Sequence, residues 1–419
     1  MRRRLLAAAA VALGLAATAV VVPADADIAQ TKVVSTNPVD WTPHILNGTV
    51  WAMTVVGDTV VVGGDFTAVT DSTGRFRYNR THIFAYGLRD GRVRPFAPAV
   101  DAPVYALAAG ASNTVYAGGF FKTVNGAAQR GLARLSLTTG ARVTSFAAGI
   151  NWGDVRALAL AGNRLYVGGT FSAVNGVPRT ALARLSAGTG AVDTGFDARL
   201  AAPGLARARV EDFSLAPDGR RLAVAGAILK AGGKDRAQLV MLGVAGPAAV
   251  VLDWYTDAYR PACMRGFDTY LRGVDFSPGG SYLVVTTTGR ASSPTTLCDS
   301  AARFNVAGAG RHNPVWVNRT GGDSLYEVTV TGAAIYVGGH QRWMNNPYGK
   351  ENAGPGAVAR PGIAALDPNT GRALAWNPTK ERGIGIQAMV ATSNGLIVGS
   401  DTDQLGREYH GRIGMFPLA

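Results

Sequence analysis

The chain has 419 residues, including 54 Gly and 20 Pro, and its formal net charge is +13. An apolar content of 47% is ample for a folded core and excludes a disordered chain. The positive charge predicts weak attraction to anionic cell-wall polymers. No nucleic-acid partner is predicted, because basic residues alternate with aromatics only in the short stretch 75–78.

The first 26 residues have the pattern of a secretory signal peptide. Arginines occupy positions 2–4, residues 5–22 are apolar, and Ala24-Asp25-Ala26 is a small-x-small cleavage site. A membrane anchor is the weaker alternative, because the run is Ala-rich and ends at the cleavage site; no later stretch reaches the roughly 18 apolar residues of a transmembrane segment. We expect cleavage after Ala26, by the general or the twin-arginine route, and a secreted, extracellular or cell-wall-associated protein.

After the leader, a unit of four short strands repeats along the chain. In its clearest copy the strands begin near Val155, Leu165 and Leu182, and an aromatic, Phe196, closes the unit. A Gly-Gly step or its relic recurs at Gly63, Gly118, Gly168, Ala225, Thr286, Gly338 and Gly399. The closing aromatic recurs at Trp41, Phe96, Phe146, Phe196, Trp254, Trp316 and Trp376. Both markers occur seven times.

This repeat predicts an all-β fold, a single seven-bladed β-propeller of four-stranded blades over residues 27–419. The last unit stops at its third strand, residues 413–416, whereas Trp41 precedes any complete unit. Residues 33–44 would therefore supply the outer strand of the last blade, so that N- and C-terminal strands pair and close the ring. An open β-solenoid is the alternative, but it needs neither seven units nor complementary ends.

The third unit carries a family resemblance. Its residues 166–176, YVGGTFSAVNG, followed by Arg179 and the LARL of residues 182–185, resemble the delta-60 repeat β-propeller family of secreted bacterial proteins. Residues 62–69 and 117–126 match the same pattern. The resemblance covers about residues 33 to 419 and is weakest in units four and five. It implies the fold and secretion; the family has no shared catalytic motif to transfer.

In a propeller the loops between second and third strands share one face with the loops between blades, and here they are long and dissimilar. The sixth loop, residues 340–360, combines aromatic and amide side chains suited to stacking on sugars or peptide groups. Its candidate ligand-binding residues are Gln341, Arg342, Trp343, Asn345 and Tyr348. A self-packed surface loop is the alternative.

Two cysteines, Cys263 and Cys298, fall in loops expected on that same face. Secretion supplies an oxidising compartment, so a disulfide is predicted, contributing about 3 kcal/mol. A nucleophilic cysteine is disfavoured because no motif flanks either residue.

The residue after the Gly-Gly step is His340, Asp401 and Asp65 in units six, seven and one, which are neighbours in a closed ring. These three could bind a divalent metal or form an acid-base group; the alternative is that they cap turns. Apart from this possible metal, no cofactor is predicted.

A small residue recurs in the inner strand, where we align Ala52, Ala106, Ala157, Ser214, Asp275, Glu327 and Ala388. Asp275 and Glu327 thus place carboxylates near the axis in adjacent blades. They could form a paired site for glycoside chemistry, or be solvated or paired with arginine.

Arginine also recurs just before the third strand of six units, where we expect it to pin loops. These residues are Arg80, Arg130, Arg179, Arg236, Arg360 and Arg412.

No nucleophile elbow, zinc-protease motif or metal-spaced cysteine set occurs, so an enzyme is not indicated. The leading hypothesis is a binding or scaffold module at the cell envelope that recognises an extracellular glycan or protein through its loop face. The alternative is an extracellular polysaccharide hydrolase or lyase using the carboxylates and histidine of the loop face or channel. A structural surface protein without a small ligand is a third reading.

Overall fold

The computed structural model describes residues 28–260, 263, 267–289 and 294–418. The predicted signal peptide and its cleavage site lie outside the described residues. Over the described ranges the chain forms β-strands and no helix, which confirms the all-β prediction. In these same ranges there is accordingly no helix that could cross a bilayer.

The strands follow the repeat, and each copy is called a unit. Unit one contains β1 (His44–Ile45), β2 (Val50–Val56), β3 (Thr59–Gly64), β4 (Ala68–Thr70), β5 (Arg77–Asn79) and β6 (Ile83–Gly87). Unit two contains β7 (Val104–Gly110), β8 (Thr114–Gly119), β9 (Thr123–Val124), β10 (Ala127–Ala128) and β11 (Leu132–Ser136). Unit three contains β12 (Val155–Ala161), β13 (Arg164–Gly169), β14 (Ala173–Val174), β15 (Val177–Pro178) and β16 (Leu182–Ser186). Unit four contains β17 (Leu200–Ala201), β18 (Arg209–Leu215), β19 (Arg221–Ala227), β20 (Lys230–Ala231), β21 (Lys234–Asp235), β22 (Leu239–Gly243) and β23 (Val250–Val251).

Unit five contains β24 (Trp254–Tyr255), β25 (Leu271–Phe276), β26 (Tyr282–Thr287), β27 (Ser300–Asn305), β28 (Gly310–Arg311) and β29 (Trp316–Arg319). Unit six contains β30 (Leu325–Val330), β31 (Ile335–Gly339), β32 (Trp343–Met344), β33 (Val358–Ala359) and β34 (Ile363–Leu366). Unit seven contains β35 (Ala388–Thr392), β36 (Gly395–Gly399), β37 (Gln404–Leu405), β38 (Glu408–Tyr409) and β39 (Ile413–Pro417).

Each unit has one principal antiparallel sheet, whose first strand we call the inner strand. The principal sheets are β2-β3-β6, β7-β8-β11, β12-β13-β16, β18-β19-β22-β23, β25-β26-β27-β29, β30-β31-β34 and β35-β36-β39. A fourth strand is complete in units four and five, whereas in units one, two, three and six it contracts to a single bridge such as Leu185 to Val192. Most second-to-third loops fold into a small hairpin, as β14 and β15 do.

The Gly-Gly steps let neighbouring units approach closely. A Cβ on Gly118 would lie 2.4 Å from Cγ1 of Val155, the first residue of the next inner strand. Gly399 of unit seven stands in the same relation to Val50 of unit one, also at 2.4 Å. The second glycine of the step has no room either, because a Cβ on Gly169 would lie 2.1 Å from the carbonyl oxygen of Asp154. The glycines are therefore a packing device, as predicted.

The N-terminal segment lies beside the last strand of the chain. The amide of Ser35 donates to the carbonyl of Pro417 at 2.8 Å, and that of Val39 to the carbonyl of Met415 at 2.9 Å. One buried core cluster contains side chains of unit one and of unit seven, Met53 and Ile397 among them.

The recurring arginines bind backbone carbonyls at unit boundaries, which confirms the expected pinning role. Arg179 donates from Nε to the carbonyl of Phe196 at 2.9 Å and from Nη2 to that of Thr194 at 2.9 Å. Arg360 contacts Leu374 in the same way. Many of the positive charges therefore belong to the scaffold.

Candidate functional site

β-Bulges interrupt six of the described inner strands at the same point, near their first residues. A bulge turns the side chain of its extra residue away from the strand's alternation. The bulged residues are Trp51, Tyr105, Arg156, Glu211, Arg272 with Gly273, and Tyr326. The six side chains, with Gln387 of unit seven and Arg209, line one cavity of about 660 Å³, which we call the channel mouth.

A second cavity of about 420 Å³ lies at the other end of the inner strands. Apolar and acidic side chains line both cavities and so form a waist between them. The shared residues are Met53, Leu107, Leu158, Asp212, Phe213, Glu327 and Met389.

The channel mouth has two chemically different arcs. The bulged residues of units three, four and five are charged, whereas units six, seven, one and two contribute aromatic rings and an amide, with Glu327 of unit six lying deeper, at the waist. On the aromatic arc, Trp51 and Tyr105 meet edge to face with ring centroids 5.9 Å apart. This pairing fixes two ring faces beside the cavity.

On the charged arc, Glu211 joins two arginines. Its side chain is 8% exposed, and its oxygens lie 2.7 Å from Nη1 of Arg156 and 2.5 Å from Nε of Arg209. Arg156 also pairs with Asp154 at 3.2 Å. Arg272 differs: its Nη1 donates to the carbonyls of Thr269 and Leu271, and no carboxylate among the described residues lies within 4.0 Å of it. Burial lowers the pKa of Arg272 from its usual value.

The inner-strand alignment drawn from the sequence is wrong in units four and five. Ala52 pairs with Gly63, and the residue paired with the corresponding Ala225 is Asp212, not Ser214. Asp275 likewise lies beyond the bulge of its strand, opposite Val284. The extra residue of each bulge shifts the alternation, which the sequence pattern alone does not reveal.

The acidic residues near the axis join adjacent inner strands. Oδ2 of Asp212 accepts a hydrogen bond from the amide of Val274 at 2.8 Å. Oδ2 of Asp275 accepts one from the amide of Val330 at 2.7 Å, and its Oδ1 accepts from Ser214 Oγ at 3.2 Å. Glu327 lines both cavities and Asp275 the second, so the two predicted carboxylates both face the channel. The sequence analysis did not identify Asp212 as a residue of the site. The signal available was an acidic residue within an inner strand whose side chains otherwise alternate.

The pKa of Asp212 is raised to about 7, chiefly by burial and also by the charges of Asp275 and Glu211, while hydrogen bonds from the amides of Val274 and Phe213 oppose the rise. An unfolded Asp ionises near pH 4, so above about pH 7 the ionised form costs folding free energy, and that cost disappears as pH falls toward 4.

Asp212→Asn keeps an acceptor for Val274 and removes the charge. We expect it to raise the unfolding free energy at pH 8 by about 1–3 kcal/mol, with little effect at pH 4.5. Urea unfolding at both pH values tests this, and equal effects at both would contradict it.

Asp65, His340 and Asp401 each bind the chain that leads into the inner strand of their own unit. Asp65 accepts from the amide of Thr49, and His340 Nε2 accepts from that of Ser324 at 3.1 Å. Asp401 accepts from the amides of Ile384 and Gly385 at 2.6 and 3.0 Å. Over the described ranges, no group of three His, Cys, Asp or Glu side chains is arranged to hold a metal ion. The geometry is that of turn caps.

The sixth loop packs largely on itself. Arg342 forms a two-pronged ion pair with Asp323, both contacts at 2.9 Å, and lies over the ring of Trp343 at 4.4 Å. Asn345 accepts from Asn318 at 2.7 Å. Gln341 is buried, whereas Tyr348 is 65% exposed. These residues lie apart from the channel mouth, none of them being among its lining residues.

Cys263 and Cys298 form the predicted disulfide, with Cα atoms 5.4 Å apart. It joins the segment that precedes the inner strand of unit five to that unit's long second-to-third loop.

A larger cavity of about 1000 Å³ opens between units three and four. Two of its arginines are already bound: Arg164 donates to the carbonyls of Val244 and Ala245 at 3.0 and 2.7 Å, and Arg184 donates to that of Gly246 at 2.9 Å. They link the two units, and the channel mouth remains the better candidate for a ligand.

Comparison with known proteins supports a β-propeller. The family model described as a beta-propeller domain of unknown function, DUF5122, matches residues 163–196. No curated protein matches the chain. Among solved structures, the chain is similar to U3-55K, with 11% identity, a TM-score of 0.54 and coverage of 90% of this chain and 98% of the other.

Two further structures are similar. The RRP9 WD40 repeats have 12% identity, a TM-score of 0.54 and coverage of 95% and 99% of the two chains. Kuenenia stuttgartiensis hydrazine synthase has 13% identity, a TM-score of 0.53 and coverage of 85% and 93%. At such identities these likenesses concern the fold alone.

Proposed function

We propose that this protein is a secreted binding module of the cell envelope, a closed seven-bladed β-propeller that recognises a glycan at its channel mouth. The observation that carries the proposal is the recurrence of a bulge in the inner strands, which turns aromatic, guanidinium, carboxylate and amide groups into one cavity. Aromatic faces for sugar rings and planar polar groups for hydroxyls are the usual lining of such sites.

Closure into seven blades is supported by a contact that repeats around the molecule. The glycine of the second strand faces the first residue of the next inner strand in Gly63 to Val104, Gly118 to Val155 and Gly399 to Val50. The pairing of Ser35 and Val39 with the last strand supports the same closure. We also place the chain in the delta-60 repeat family on its repeat pattern. The short DUF5122 match supports the β-propeller fold.

Secretion is supported by the leader sequence and by the disulfide, since disulfides persist in oxidising compartments. A glycan is favoured over a protein partner because the site is a concave mouth at the axis. A stable protein interface spreads over about 800 Å² of surface on each partner, whereas a concave cavity of about 660 Å³ has the size usual for a small-ligand site.

Binding to a panel of cell-wall and capsular glycans, measured by calorimetry, tests this function. We expect Trp51→Ala and Tyr105→Ala each to weaken binding about tenfold or more, since a stacked ring contributes about 1.5 kcal/mol. Tyr348→Ala is the matched control, because this exposed tyrosine lies outside the mouth. If Tyr348→Ala abolished binding and Trp51→Ala did not, the sixth loop would be the site and the proposal would be wrong.

A hydrolase remains the second candidate because of one observation, the pKa of Asp212, raised to about 7 chiefly by burial. A carboxyl that stays protonated near neutral pH can act as a general acid, with the carboxyl group of Asp275 as its partner. If this function is real, reducing sugar released from the same glycans by the wild-type protein will be lost in Asp212→Asn. If Asp212→Asn still released reducing sugar, Asp212 would not be the general acid. If the wild-type protein released none, the hydrolase function would be excluded.

A further inference from the structure

We infer that the glycan bound at the channel mouth carries a carboxylate, as in a hexuronic acid, which pairs with Arg272. This inference rests on the proposed function and deepens it. Arg272 differs from the two other arginines of the mouth, Arg156 and Arg209, in having no direct carboxylate partner among the described residues.

The other arginines are neutralised by the protein itself. Glu211, between Arg156 and Arg209, contacts both within 2.7 Å, and Asp154 gives Arg156 a second carboxylate. These four side chains form an ion-pair network with little capacity for a ligand charge.

Arg272 is held in place without being neutralised. Its contacts with the carbonyls of Thr269 and Leu271, at 3.3 and 2.9 Å, use Nη1 and orient the guanidinium. Among the described residues no carboxylate is within ion-pair distance, although the side chain lines the cavity. Burial disfavours the charged guanidinium of Arg272, and the charge of Glu211, which favours it, acts without direct contact and is opposed by those of Arg209 and Arg156. An anion that contacts Arg272 directly would therefore be favoured in the mouth.

The remaining carboxylates that line the cavity do not form an ion pair with Arg272. Asp212 and Glu327 belong to the waist, and Asp212 accepts a hydrogen bond from the backbone of unit five. The side chain of Arg272 lines the same cavity as the paired rings of Trp51 and Tyr105.

Among the described residues that line the mouth, Arg272 is the one cation without a direct carboxylate contact, and a single guanidinium matches one carboxylate better than a doubly charged phosphate. Arginine binds a carboxylate through two parallel N–H···O bonds, so the pair is directional as well as charged. The aromatic arc can then hold the sugar ring that bears this group. A hexuronic acid joins both features in one residue.

The test compares trisaccharides of galacturonate, glucuronate and mannuronate with their methyl esters, which keep the sugar and remove the charge. We expect the wild-type protein to bind at least one acid at least tenfold more tightly than its ester. Arg272→Gln should reduce the affinity for the acid to that for the ester and leave the ester unchanged. Arg272→Met checks that this result does not depend on the glutamine amide.

Arg260→Gln is the control, because Arg260 is 55% exposed, pairs with Asp257 and lies outside the cavity. It should leave the preference for the acid intact. Unfolding midpoints show whether each variant is folded. Circular dichroism of a variant that does not bind distinguishes a loss of the binding contact from a loss of the fold.

Equal binding of acid and ester would overturn the inference and leave a neutral-glycan site. If no glycan, acidic or neutral, bound, the proposed function itself would fail. The last comparison is between a short peptide with a free C-terminal carboxylate and the same peptide with an amidated C-terminus. Arg272-dependent binding of the free peptide, without binding of any uronate, would reject a glycan in favour of a protein terminus.

Discussion

Replacing Arg184 with Met is expected to lower the free energy of unfolding by about 3–5 kcal/mol, the usual cost of breaking a buried ion pair. The side chain of Arg184 is 1% exposed, and its Nε and Nη2 donate to Asp193 at 2.9 and 2.7 Å. Its remaining N–H groups bind carbonyls of unit four at Val244, Gly246 and Pro247. The Met side chain fills much of the space but removes the donor from the carbonyls of Gly246 and Pro247 and from Oδ2 of Asp193, whereas the carbonyl of Val244 keeps its hydrogen bond from Arg164.

The matched control is Arg134→Met, in the identical pentapeptide LARLS of unit two. Arg134 lies nearer the surface and donates to Thr114 Oγ1 and the carbonyl of Ala111 at 3.0 and 3.2 Å. Its loss should cost about 1 kcal/mol or less. Urea unfolding of both variants measures the difference, and equal destabilisation would mean that the bonds from Arg184 to unit four add nothing.

Gly169→Ala is expected to be the next most damaging substitution, at about 3 kcal/mol. The new Cβ would lie 2.1 Å from the carbonyl oxygen of Asp154 and 3.0 Å from Cα of Val155. Both are backbone atoms in the antiparallel pair of β12 and β13, so no side-chain rotation can relieve the contact. The inner strand must move away from its neighbour, which disturbs the nearby bulge at Arg156.

Gly188→Ala in the same unit is the control. It has ordinary backbone geometry, and the nearest atom to its new Cβ, Asn163 Oδ1, is 3.8 Å away. We expect a change of less than about 0.5 kcal/mol. Thermal unfolding of the pair decides the point: a tolerated Gly169→Ala would show that the strands can separate here at little cost.

The fold was largely predictable because its signals are local and repeated. Each Gly-Gly step marks a place where two backbones meet, and only a residue without Cβ fits beside Val104 or Val155. The recurring arginines were equally informative, since Arg179 and Arg360 make the same kind of carbonyl contact. Where the repeat has diverged, in units four and five, the alignment failed.

The candidate site was less predictable because it depends on bulges. Arg272 and Glu211 reach the channel mouth only through an extra residue in the strand, which ordinary alternation would direct elsewhere. The sixth loop showed the opposite error: its aromatic and amide residues looked suited to a ligand, yet Arg342 and Asn345 are bound to the protein's own groups. Composition does not distinguish a loop that binds a ligand from one that binds itself.

The pairing of residues 34–39 with β39 has a consequence for the order of synthesis and folding. Ser35 is synthesised before unit one, but its partner Pro417 belongs to β39, which follows the other strands of all seven units. Until β39 has been synthesised, the early segment has nothing to pair with. Contacts this distant in sequence form late and slowly. The sheet of unit seven is therefore completed only after the other six units have been made.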